Sequence, residues 1–139
     1  MSIKKQDIER KVADWTSFAD EDLRVARQAL KLSNSCPYRI VAYHAQQCAE
    51  KYLKAFLVYK KKDFPYTHDI SRLLELCLHH GSWPNDLLVA AELTSYAVTV
   101  RYPGEEAKVS KKEALHAVEL ASLTRKIVKS ALRQEGLIL

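Results

Sequence analysis

The chain has 139 residues, 47% hydrophobic and 28% charged, with a formal net charge of +5. This is too apolar for a disordered tail and of a size for one domain, expected to span 1–139. No apolar run approaches the roughly 20 residues of a membrane-spanning helix, and the polar start from Met1 to Arg10 lacks the apolar heart of a secretory signal, so a cytoplasmic protein is expected.

Four prolines divide the chain into five segments with helical periodicity. The first helix is predicted from about Ile3 to Leu32, with Val12, Trp15, Ala19, Leu23, Ala26 and Leu30 on its inner face. Pro37 suits the first turn of a second helix running to Lys61, with Val41, Ala45, Cys48, Tyr52, Phe56 and Tyr59 on one face. Ala42, Ala49, Leu53 and Leu57 make a second side of that helix apolar as well. A loop around Phe64-Pro65-Tyr66 leads to a short third helix ending at His80. Thr67 is its expected cap and Gly81 its left-handed stop. The fourth helix follows Pro84, with Leu87, Leu88, Ala91, Thr94 and Val98 inward, and should end near Arg101, because Tyr102 precedes Pro103. Ser110-x-x-Glu113 forms a capping box for the fifth, whose inner face carries Ala114, Ala117, Ala121, Thr124, Val128 and Ala131. No segment reads as a strand. The expected fold is all-α, a five-helix antiparallel up-and-down bundle of four long helices and one short.

Nucleophile, P-loop, dinucleotide and metalloprotease motifs are absent. Cys36, Cys48 and Cys77 have no Cys-x-x-Cys spacing, so neither a disulfide framework nor a zinc site is suggested. Cys48 and Cys77 read as buried thiols. No metal or cofactor is expected.

Three polar constellations remain. His44, Gln47, Lys51 and Lys54 share one face of the second helix, and Glu50 is spaced to pair with Lys54. His68 lies at a helix start, where backbone N–H groups can meet phosphate. Arg101 and Tyr102 close the fourth helix. Each has a plain structural reading too: a solvated stripe, a helix cap, and an arginine satisfying a helix dipole.

The order of these pieces resembles the HEPN domain family. The matching runs are Ala19-Asp20-Glu21-Asp22-Leu23, then Gln46-Gln47-Cys48-Ala49-Glu50-Lys51-Tyr52-Leu53-Lys54-Ala55, His68-Asp69-Ile70 and Arg101-Tyr102-Pro103, over about Val12 to Leu132. The resemblance implies a helical bundle that often dimerises, a nucleotide ligand, and a small nucleotidyltransferase encoded nearby as partner. Other branches are metal-independent ribonucleases, often toxins, with an Arg followed after four to six residues by His. Here those positions after Arg101 hold Glu106, Ala107 and Lys108. Arg39 to His44 and Arg72 to His79 have matching intervals, but they lie inside the second and third helices. The expectation is therefore a non-catalytic module that binds a nucleotide or associates with a nucleotidyltransferase. Gln47, Lys51, Lys54, His68, Arg101 and Tyr102 are its candidate nucleotide- or anion-binding residues. The alternatives are a metal-independent ribonuclease acting on RNA and a purely structural interaction protein. The doubly apolar second helix further predicts a twofold homodimer.

Overall fold

The computed structural model describes residues 2–97 and 108–139, with the side chains of Ser2 and Ile3 excepted. Helix α1 spans Ser2–Ala29, α2 Tyr38–Tyr59 and α3 Ile70–Leu78; a 3-10 helix covers Asn85–Tyr96, and α4 spans Lys111–Gln134. Among the described residues the fold is an all-α five-helix bundle with no strand. Helix α2 is central: α1 and α4 pack along it, while α3 and the 3-10 helix pack against each other and against α2.

That position explains the composition of α2. Val41, Ala42, Ala45, Cys48, Ala49, Tyr52, Leu53, Phe56 and Leu57 are all buried within the single chain. Both apolar sides are thus covered by the chain's own elements, which removes them as a reason for a second copy. Val12, Ala19, Leu23 and Ala26 of α1 and Ala114, Ala117, Ala121, Thr124 and Val128 of α4 are buried as their spacing predicts. Cys48 and Cys77 lie inside this core. Burial pushes the Cys77 thiol up to about 12 and raises that of Cys48 as well, so neither carries a reactive thiolate near neutrality.

The caps divide into those the sequence specifies and those packing selects. Ser110 and Glu113 form the reciprocal box at the start of α4. At α3 the cap is Asp69, which accepts from the backbone N–H groups of Ser71 and Arg72. Thr67 instead accepts from the N–H of Asp69. Gly81 does not supply a left-handed stop; a Cβ there would lie 3.1 Å from the Trp83 ring and 3.3 Å from Phe56. Its role is close approach, since Trp83 stacks edge-on against Phe56 and donates its indole N–H to the Cys77 carbonyl.

The fourth helix differs most from expectation. It is wound as a 3-10 helix, and its buried residues are Leu87, Ala90 and Leu93. Those positions recur every three residues, the spacing at which side chains eclipse in a 3-10 helix and form one straight ridge. The expected inner residues Leu88, Ala91 and Thr94 are exposed or half-buried. Its expected end near Arg101, and Val98 with it, lies outside the described residues. The His116 ring of α4 is 3.7 Å from Glu92, and Tyr96 donates to Glu113, which ties the 3-10 helix to the start of α4.

Candidate functional site

Four polar residues of α2 are almost fully buried: Gln46, Gln47, Glu50 and Lys54. Buried polar atoms need partners, and these find them in one another and in the loop before α3. Glu50 is the hub. Its Oε1 accepts from Gln46 Nε2 at 3.0 Å and lies 2.8 Å from His68 Nδ1; its Oε2 accepts from Lys54 Nζ at 3.0 Å. Gln46 also donates to the His68 carbonyl at 3.1 Å and accepts from Gln47 at 2.7 Å. The polar run of α2 therefore grips the backbone and the ring of His68 together.

Three aromatic rings surround the Lys54 ammonium. Its Nζ lies 5.7 Å from the ring centres of Trp15 and Phe64 and 6.0 Å from that of Tyr66, within cation–π range. Trp15 and Phe64 meet edge to face, as do Tyr66 and His68. The most exposed members of the cluster are Tyr66, 94% exposed, and His68, whose side chain is 41% exposed.

A second carboxylate centre lies between α1 and α2. Asp22 accepts from Lys51 Nζ and sits 2.8 Å from His44 Nδ1. A third links three helices: Asp20 accepts from the Tyr52 hydroxyl and from Arg125 Nε at 2.9 Å. Partial burial of Asp20 pushes its pKa up, but the hydrogen bonds from Arg125 and Tyr52 outweigh it and hold the carboxyl below its ordinary value. The Tyr52 hydroxyl shifts upward, through burial and then its bond to Asp20. Desolvation and the neighbouring Arg125 lower Lys129.

The structure brings Gln47, Lys54 and His68 into one cluster. Lys51 is on the same helix but is bonded to Asp22 instead. Arg101 and Tyr102 lie outside the described residues. The N–H groups at the start of α3 are already occupied: Thr94 accepts from Ile70 at 3.0 Å, and Asp69 accepts from Ser71 and Arg72. Sequence reasoning recognised the Glu50–Lys54 pair but missed Glu50 as a hub and the ring set Trp15, Phe64 and Tyr66. The Phe64-Pro65-Tyr66 loop was the available signal for the rings. No group of three metal-ligating side chains occurs among the described residues, and no described helix is long and apolar enough to cross a membrane.

A helical bundle with a polar seam on its central helix, gripping a histidine eighteen residues downstream of its glutamate, defines the class of protein. The chain belongs to the HEPN domain family, which matches residues 12–132. TT1696 from Thermus thermophilus is similar at 29% identity and a TM-score of 0.74, over 86% of this chain and 97% of that one. ST0689, an archaeal HEPN homologue, is similar at 26% identity and a TM-score of 0.67, over 86% of this chain and 96% of its own. No curated protein matches the chain.

Proposed function

We propose that the chain is a non-catalytic HEPN module that binds a nucleotide, free or presented by a small nucleotidyltransferase, at the mouth of the Glu50 cluster. One observation carries the reading: the cluster's exposed groups are an aromatic ring, Tyr66, and an imidazole, His68, whose centres are 5.8 Å apart. Such a pair suits a base stacked on the ring with a polar or anionic group at the imidazole. Lys54 and Lys51 already have carboxylate partners. They act by positioning His68 and holding the α1–α2 wall, with no direct hold on phosphate. The test is calorimetric titration with AMP. Tyr66→Ala and His68→Ala are each expected to weaken binding by about tenfold. Absence of binding by the parent protein, with no association with a nucleotidyltransferase encoded beside it, overturns the reading.

A second reading, metal-independent ribonuclease, draws on the Glu50–His68 contact, because a carboxylate that orients an imidazole is also how a general base is set up. RNA cleavage without metal that disappears in both His68→Ala and Arg101→Ala would replace the binding-only reading.

A further inference from the structure

A groove of about 430 Å³ lies far along α2 from His68, lined by Lys4, Lys5, Ile8, Glu9, Tyr59, Lys60, Lys61 and Glu135. It gathers the start of α1 and the ends of α2 and α4. Its volume falls within the range of small-molecule sites. One wall is fixed: the Tyr59 hydroxyl donates to the Glu135 carbonyl at 3.2 Å, and Lys60 pairs with the Glu135 carboxylate. Of the remaining charges, Lys4, Lys5 and Lys61 face one carboxylate, Glu9, and none of the three lysines makes an ion pair among the described residues.

All three lysines stand where local structure disfavours them. Lys61 has φ of 59°, in the left-handed region that favours glycine. It closes α2 there, with its N–H donating to the Val58 carbonyl and that of Lys62 to the Leu57 carbonyl. Lys4 and Lys5 lie near the start of α1, where the helix dipole is positive and the first turn carries no acidic residue. A helix end needing only solubility would be served by glycine at 61 and by acids at the start of α1. The His80 imidazole sits below its ordinary value, through desolvation and then the charges of Lys62, His79 and Lys60.

We propose that this groove binds a chain of two or three linked phosphates, as in inorganic oligophosphate or a nucleoside polyphosphate, with Lys4, Lys5 and Lys61 as its cationic contacts. Lysine ammoniums are flexible point charges suited to phosphate oxygens of varied geometry. Ile8 and Tyr59 supply an apolar side. The site is independent of the His68 mouth and stands whether or not a nucleotide binds there.

The experiment is calorimetric titration of the full chain with tripolyphosphate, ATP and AMP at about 50 mM salt, where screening is weak. Tripolyphosphate is expected to bind, and the Lys4→Gln/Lys5→Gln double variant to weaken it by about tenfold. Lys61→Gly separates the site from folding. It relieves the backbone, so the melting temperature should hold or rise while tripolyphosphate binding falls. His68→Ala should leave tripolyphosphate binding unchanged. Within His68→Ala, equal affinity for tripolyphosphate and ATP assigns recognition to the phosphates alone, and tighter ATP binding lost on adding Tyr59→Ala adds the base; either supports the site. No tripolyphosphate binding, or binding that both lysine variants leave intact, overturns it.

Discussion

Glu50 shows how one residue can hold the candidate site together. Its carboxylate is 3% exposed and accepts from Gln46, His68 and Lys54. Removing it leaves the Lys54 ammonium buried without its counter-charge. Breaking a buried pair from one side costs about 3–5 kcal/mol, so Glu50→Ala should lose that much in urea denaturation, while Glu50→Gln loses less because its amide oxygen can still accept. Equal stability of Glu50→Ala and the parent would mean Lys54 escapes to water without cost. Asp20 gives the pH counterpart. Its folded pKa lies below the ordinary 3.8, so its contribution is present above that value and is lost as pH falls through the lowered one. Asp20→Asn should therefore flatten the acid limb of the stability curve below about pH 4 and lower stability at neutral pH. An unchanged acid limb would assign acid unfolding to other carboxylates.

At the scale of elements, what was legible is local and what was hidden is not. Ser110-x-x-Glu113 is a four-residue signal and forms the box it encodes. Ser110→Ala should cost about 1 kcal/mol, read from denaturation midpoints; no loss would mean water or a neighbour satisfies the Glu113 N–H. At the start of α3 the cap is Asp69 and not the expected Thr67, which instead accepts from the Asp69 N–H. Their division of labour depends on Thr94 of the 3-10 helix taking the Ile70 N–H. The winding of that helix was equally undecided by pattern. Leu87-Leu88-x-x-Ala91 fits an α-helix and Leu87-x-x-Ala90-x-x-Leu93 a 3-10 helix, and packing against α2, α3 and α4 selects the second. In the candidate site, Glu50 with Lys54 is one helical turn and readable, whereas Glu50 with His68 spans a loop. No periodicity encodes a contact that loop closure creates.

The whole molecule buries both apolar sides of α2 by itself, so any self-association must use another surface. Among the described side chains of α1, the large apolar ones left exposed are Phe18 and Val25, 52% and 45% accessible and two helical turns apart on one face. Trp15, half-buried, borders Phe18 in a shallow groove with Lys11 and Asp14. Seven-residue spacing of apolar side chains is the pattern by which two helices pack along a seam, and a twofold axis would set each α1 against its copy with the same residues on both sides. We therefore propose the dimer on this face. Light scattering at micromolar concentration should give twice the 15.9 kDa chain mass. Phe18→Glu should return the mass to that of one chain with an unchanged circular dichroism spectrum, because Phe18 is not part of the buried core. A parent protein of single-chain mass would remove the dimer altogether. A dimer that survives Phe18→Glu would move the interface to another exposed apolar set, such as Leu88, Val89 and Leu115 on the 3-10 helix and α4.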